Sequence, residues 1–277
     1  MAKGIGLIGN FKGKVGNMVG YKLSDSNTGN TQGIRVYQPI VKNPKTAAQA
    51  EQRAKLAPIN ATYRALKMII DRGNEGLPYG NKSRLAWLKQ AFKAEVMPWY
   101  LKGATVGYPV ACQVTKGSLS GINSSIDGGV LVMACTGVTS ETALNTIGAI
   151  STALMAGYPA LKEGDQVTFV AIGPAQGTLA SEVFSIVINT ASTEANSKFS
   201  ASADSIEVSF NIGATFGTII VSREGANGEH LRSTAALQYE ADTVAAAPYN
   251  ATSKTAAIES YQSSAASNAD WAEESIQ

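Results

Sequence analysis

The sequence predicts an α+β protein: a Gly-rich β-hairpin plus helices, then an antiparallel β-sandwich of immunoglobulin-like or jelly-roll-like kind. One helix is expected inside the sandwich, and an Ala/Ser-rich C-terminal arm after it. Three observations carry this. Residues 1–40 are β-formers punctuated by glycine, Ala-rich stretches with helical spacing follow as far as Pro98, and from Thr105 short apolar runs recur between Gly/Asn/Ser turns. The expected division is 1–103, a basic hairpin-and-helix region; 104–240, the sandwich; and 241–277, an arm or tail. At 277 residues the chain is near the upper limit for one core.

In the first region, Ile5, Leu7, Phe11, Val15, Met18, Val19 and Tyr21 are interrupted by Gly4, Gly6, Gly9, Gly13, Gly16 and Gly20. Glycine at this density marks bends and close backbone approach. Ser24 to Gly33 is a polar loop and Ile34–Tyr37 a returning strand, so one or two hairpins are expected.

Asn43-Pro44 is a boundary, and Thr46-Ala-Ala-Gln49 has capping-box spacing. Ala47 to Ile70 is therefore expected to be helical, with Pro58 either starting a second helix or kinking the first, because proline lacks a backbone donor. Gly73 to Gly80 reads as a loop. A further helix is expected from Asn81 or Lys82 to Val96, with Leu85, Leu88 and Phe92 on one face.

Beyond Thr105 the expected strands are Tyr108–Thr115, Gly129–Thr136, Gln166–Ile172, Glu182–Asn189, Ser205–Asn211 and Gly217–Arg223, with a tight turn at Asp127-Gly128-Gly129. Ser140 to Ala156 reads as one amphipathic helix carrying Leu144, Ile147 and Leu154. From Ala241 onward large apolar residues are sparse. Tyr249, Tyr261 and Trp271 are expected either to anchor an arm on a neighbouring subunit or to lie in a mobile tail.

Charge is divided by position. Residues 1–103 hold 17 Lys+Arg against 5 Asp+Glu, a net of +12, whereas 104–277 hold 6 against 16, a net of −10. A split of this kind points to different partners at the two ends. Lys3, Lys12, Lys14, Lys22, Arg35, Lys42 and Lys45, interleaved with Phe11, Tyr21 and Tyr37, form a candidate contact patch. It suits nucleic acid, through phosphate neutralisation and base stacking, or an acidic face of another copy.

Motifs for chemistry are weak. Gly4-Ile-Gly6-Leu-Ile-Gly9 has dinucleotide-loop spacing, but no strand precedes it and the glycines after it oppose a helix. Gly76 to Ser83 misses phosphate-loop spacing because Asn81 separates Gly80 from Lys82. There is no GxSxG elbow, and Cys112 and Cys135 fit neither a disulfide scaffold nor a zinc motif; both are expected as buried thiols. The single histidine, His230, is expected at an exposed hairpin tip, and Asp165 in a turn before a strand. No catalytic residue, cofactor or metal ligand is expected. No apolar run approaches the roughly 20 residues of a membrane span, and the N-terminal apolar stretch is short for a signal peptide, so cytoplasmic retention is expected.

Residues 9 to 56 carry a longer pattern: Phe11-Lys-Gly13-Lys14-Val15-Gly16-Asn17-Met18-Val19-Gly20-Tyr21, then Ile34-Arg35-Val36-Tyr37, then Asn43-Pro44-Lys45-Thr46 with Gln49, Gln52, Arg53 and Leu56. It resembles an uncharacterised family of Bacteroidota and their phages with an N-terminus of the type SGKVGNVVGY…VR…NPxTxxQxxQR and a β-rich C-terminal region. Lys12 stands where that pattern has a small residue, and the Ser24–Gly33 loop is long for it. The resemblance implies a phage-associated structural role without catalytic residues.

The expected function is therefore a bacteriophage virion subunit, in the capsid, near the portal or in the tail, made in the host cytoplasm. Its partners would be other copies, other virion proteins and, through the basic region, nucleic acid. The alternatives are a nucleic-acid-binding packaging protein and a surface-displayed β-sandwich adhesin.

Overall fold

A computed structural model of the chain describes residues 13–23, 31–37, 46–212, 215–245 and 248–263. The chain forms two compact units, Met1–Pro44 and Lys45–Gln277. The boundary expected near residue 103 lies inside the second unit, because the helices that precede it share a core with the sheet that follows.

The first unit contains a three-stranded antiparallel meander of β1 (Gly13–Val15), β2 (Met18–Leu23) and β3 (Thr31–Val36). Gly16 and Asn17 close the first hairpin between Val15 and Met18. Gly16 has φ +57°, and Asn17 is not among the residues with positive φ. That is the type II′ arrangement whose twist suits a two-residue hairpin.

The second unit opens with α1 (Ala47–Ala65), where the Gln49 N–H donates to the Thr46 hydroxyl at 3.3 Å; this is one half of the expected capping box, since the Gln49 side-chain oxygen has no partner among the described residues. Pro58 neither starts nor ends a helix; it is buried within α1. The Thr62 hydroxyl donates to the Pro58 carbonyl at 2.9 Å and accepts the Val110 N–H at 2.9 Å, tying this stretch to the strand layer. The break comes at Leu66, followed by α2 (Lys67–Ile70). Next comes α3 (Asn81–Ala91). Its fully buried residues are Ser83, Trp87 and Ala91; of the expected face, Leu88 and Phe92 pack partly buried against the same core, while Leu85 is 48% exposed. Trp87 decides the orientation: it is the largest apolar side chain of the helix, and Ser83 and Ala91 lie one turn to either side of it.

The remaining strands are β4 (Gln113–Thr115), β5 (Ser124–Asp127), β6 (Val130–Ala134), β7 (Gln166–Ala175), β8 (Thr178–Val187), β9 (Phe199–Ser202), β10 (Ser205–Val208), β11 (Phe216–Glu224), β12 (His230–Arg232), β13 (Ala235–Ala236) and β14 (Gln238–Tyr239). The inserted helix, α4 (Ile147–Gly157), starts later than expected: Thr146 is its cap, accepting the Ala149 N–H at 3.3 Å. The C-terminal segment supplies α5 (Ala241–Ala245) and α6 (Ala251–Ser263).

All strand pairs within the sheets are antiparallel, and successive hairpins alternate between two sheets. One sheet has the order β5-β6-β10-β9; the other runs β12-β11-β7-β8, with β14 also pairing β11. Labelled A to G, these orders are ABED and GFCC′, the strand arrangement of an immunoglobulin-like sandwich. Of the two sandwich kinds the sequence left open, this order selects the first. Gly128 (φ +54°) and Gly129 (φ +81°) make the tight turn between β5 and β6.

The central strands of the GFCC′ sheet, β7 and β11, are buried on both faces. Val167, Phe169 and Ala171 of β7 face the ABED sheet, where Phe169 stacks on Phe184 (ring centroids 5.1 Å apart) and meets the edge of Phe199 (5.2 Å). Val170 and Ile172, on the other side of the strand, join Ile59, Ile70 and Trp87 of the helices. Double burial explains why β7 and β11 read as continuous apolar runs instead of alternating ones. The unit is thus layered: helices, GFCC′ sheet, ABED sheet.

Candidate assembly surfaces and a cationic cleft

The strand register of the first unit sorts its side chains. Lys14 pairs with Val19, and Val19 with Arg35, so the two cations flank one valine on one face. Tyr37 follows on the Arg35 side, and the Lys14 ammonium lies 3.6 Å from the centroid of its ring. Both cations are exposed, and neither belongs to an ion pair among the described residues. Met18 pairs with Val36 on the opposite face, where they are 41% and 72% exposed. Lys22 occupies β2 opposite Gln32. The other candidates of the basic patch, Lys3, Lys12, Lys42 and Lys45, lie outside the described residues, as does the Gly4–Gly9 motif.

The two described C-terminal anchors face their own chain. The Tyr249 hydroxyl donates to the Pro109 carbonyl at 2.8 Å, and its ring meets Tyr108 edge-on at 6.1 Å and lies 6.0 Å from Phe216. Burial, with the neighbouring Tyr100 and Tyr108, raises its phenol above the ordinary range. Tyr261 packs against the same helix-side core, and Ala257 of α6 is fully buried there. The segment that looked too poor in apolar residues to build a core instead completes one built by other elements. Trp271 lies outside the described residues.

A polar cleft of about 600 Å³ opens where the helices stop covering the GFCC′ sheet. Its floor includes Gln166 of β7, Val187 of β8 and Ser222 of β11, and its wall is Arg72, Tyr79, His230 and Arg232. The wall is built from two distant stretches. Arg72 and Tyr79 belong to the connection between α2 and α3, held by buried Asn74, whose side-chain amide donates to the Ser83 carbonyl and hydroxyl at 3.1 Å. Glu75 in the same connection accepts the Arg232 backbone N–H at 3.1 Å and the Ser118 N–H at 2.9 Å, fixing β12 against it.

Charge in this cleft is unevenly compensated. Arg223 is committed to Asp165, which is 1% exposed, through Nε–Oδ1 at 2.5 Å and Nη2–Oδ2 at 2.6 Å. Arg72 and Arg232 have no carboxylate partner among the described ion pairs. Burial lowers the Arg232 guanidinium below its ordinary pKa; a hydrogen bond to Tyr79 opposes that shift, and the Arg72 charge adds to it. The Arg72 guanidinium carbon is 5.5 Å from the Tyr79 ring centroid, and the Tyr79 and His230 rings are 6.1 Å apart. His230 is exposed and paired with Glu224 at the turn end of the β11–β12 hairpin, the place its sequence context suggested. The other wall residues carried no local signal, because their meeting depends on tertiary structure alone.

Cys112 and Cys135 are free and buried. Burial pushes the Cys112 thiol up to about 12, opposed by the Trp87 indole N–H, and raises Cys135 as well. Among the described residues no cluster of three or more His, Cys, Asp or Glu side chains is placed to hold a metal, and no helix is long and apolar enough to cross a membrane. Comparison with protein-family models, with curated proteins and with solved structures finds no match to this chain.

Proposed function

We propose that this chain is a bacteriophage virion structural subunit, of the capsid, the portal-proximal region or the tail, and that it acts through homo-oligomeric assembly. The carrying observation is the two-faced meander of β1, β2 and β3. A sheet of this size becomes stable when an apolar face is covered, yet its Met18–Val36 pair is exposed. The opposite face presents Lys14, Arg35 and Tyr37. Complementary charge is at hand in other copies: residues 1–44 hold 6 Lys+Arg against 1 Asp, whereas 104–277 are net −10. The resemblance of residues 9–56 to a phage-associated family supports the virion assignment. Synthesis in the host cytoplasm and incorporation into the particle follow from it.

The test is sedimentation of the full chain beside Met18→Asp and Val36→Asp, two exposed positions where folding is expected to survive. Assembly of the parent and its loss in both variants is the expected result. Particles of unchanged size in both variants would remove the hairpin from the contact.

A second reading, nucleic-acid packaging, is favoured by the cations and ring on one face of the meander. It requires affinity for DNA that falls steeply with salt, and that falls again in Lys14→Ala/Arg35→Ala.

A further inference from the structure

We infer that the cationic cleft receives the acidic C-terminal segment, residues 264–277, of a neighbouring copy. This rests on the assembly reading and names one contact within it.

The cleft presents two arginines without carboxylate partners among the described ion pairs, Arg72 and Arg232, around the half-exposed ring of Tyr79. Beside them β8 is the last strand of its sheet; it exposes Val187 (53%) in the cleft and Val183 (44%) further along the strand, outside the cleft lining. The site therefore calls for a ligand with carboxylates and large apolar groups close together. Residues 264–277 contain Asp270, Trp271, Glu273, Glu274 and Ile276 and no lysine or arginine. Three carboxylates lie there beside two large apolar side chains, matching two arginines beside the exposed Val187 of the cleft. Carboxylates also suit guanidinium geometry, whose N–H groups donate paired hydrogen bonds to the two oxygens.

A long polyanion fits less well. Exposed Glu224 stands on the cleft rim, and the sheet side of the cleft comes from the acidic part of the chain, residues 104–277. A nucleic-acid backbone would have to cross that repulsive surface, whereas a short segment need not. The long-standing cost of leaving Arg232 partly desolvated and beside Arg72 is relieved when an anion is supplied.

The experiment uses the full chain with its own segment neutralised by Asp270→Asn, Glu273→Gln and Glu274→Gln. A labelled synthetic peptide of residues 264–277 is titrated into it and followed by fluorescence anisotropy. Saturable binding is expected, weakened at least tenfold by Arg72→Glu and by 0.5 M salt, and absent for a peptide carrying the same three neutral substitutions. Arg72 is exposed, so this variant tests the contact without disturbing the partly buried Arg232; a thermal melt confirms its fold. In sedimentation, the neutralised chain should assemble less than the parent, and Asp270→Lys/Glu273→Lys/Glu274→Lys combined with Arg72→Glu/Arg232→Glu should recover assembly.

No peptide binding, with the parent still forming particles that Arg72→Glu leaves intact, overturns the contact and spares the assembly reading. Peptide binding by a parent that stays monomeric makes the contact internal to one chain, and overturns both. A single-stranded DNA of similar length that binds more tightly than the peptide, and is lost equally in Arg72→Glu, would reassign the cleft to phosphates.

Discussion

At the scale of single residues, polar groups hold the connections together. Asp165 accepts the Lys162 N–H at 2.9 Å through one side-chain oxygen and pairs with Arg223 through both, so the turn before β7 is locked to β11. Removing Arg223 would strand a buried carboxylate. Arg223→Ala is expected to lower unfolding free energy by about 2–3 kcal/mol, less than for a fully buried pair because the arginine is partly exposed; urea unfolding measures it, and a change under about 0.5 kcal/mol would contradict the assignment. Three carboxylates are held below the ordinary value of 4.5. For Glu75 the cause is the Ser118 backbone N–H, opposed by burial and helped by the Arg232 N–H. Glu51 owes its shift to Lys55, against burial, with Lys254 adding to it. In Glu182 burial alone would raise the pKa, and Lys198 with the Asn211 and Ile212 N–H groups outweighs it. Depressed folded-state values mean that this stability is complete above pH 4.5 and is lost as pH falls through them. The urea midpoint should therefore be steady from pH 8 to 5 and fall below about pH 4.5, with a shallower fall in Glu75→Gln; a midpoint constant down to pH 3 would refute the linkage. Asp165 was legible as a turn residue from Lys-Glu-Gly-Asp, but its partner 58 residues away was not.

At the scale of elements, local rules and tertiary packing divide the outcome. Thr46 capped α1 as its spacing promised, and Gly16-Asn17 and Gly128-Gly129 turned where glycine allows positive φ. Five of the strands read from apolar runs are present as β6, β7, β8, β10 and β11, with ends shifted by a few residues, whereas of the expected Tyr108–Thr115 only Gln113–Thr115 (β4) is a strand. Missing from the sequence reading were β5 (Ser-Ser-Ile-Asp) and β9 (Phe-Ser-Ala-Ser), each with one large apolar residue, and the two- and three-residue strands after β11. Such segments become strands because a hairpin partner pairs with them, which no local pattern records. Helix α3 shows the same limit: Leu88 and Phe92 of the expected face pack against the core, but Trp87 takes its fully buried centre and Leu85 stays exposed. Trp87→Ala is expected to cost about 3–5 kcal/mol, whereas Leu85→Ala, at an exposed position, should stay within about 0.5 kcal/mol. Thermal or urea unfolding of the pair separates the two faces, and equal losses would contradict the packing.

At the scale of the whole chain, the charge division visible in the sequence acquires a layered meaning within the second unit. Residues 45–103 hold 11 Lys+Arg against 4 Asp+Glu, and exposed Arg64, Lys67, Lys82, Lys89 and Lys93 belong to the helical layer. Asp127, Asp204 and Glu207 belong to the ABED sheet, on the far side of the GFCC′ sheet. The boundary near residue 103 was therefore a change of charge and of periodicity, not of core: helices and sheet bury their apolar faces against each other. A basic layer opposite an acidic one gives the second unit two unlike faces, which the proposed assembly would use between copies. The claim that this polarity drives self-assembly is tested most directly by cryo-electron microscopy of the purified full chain, free of nucleic acid, at low salt. Uniform particles in which one contact between copies repeats are predicted; a monodisperse monomer across the same concentrations would contradict it.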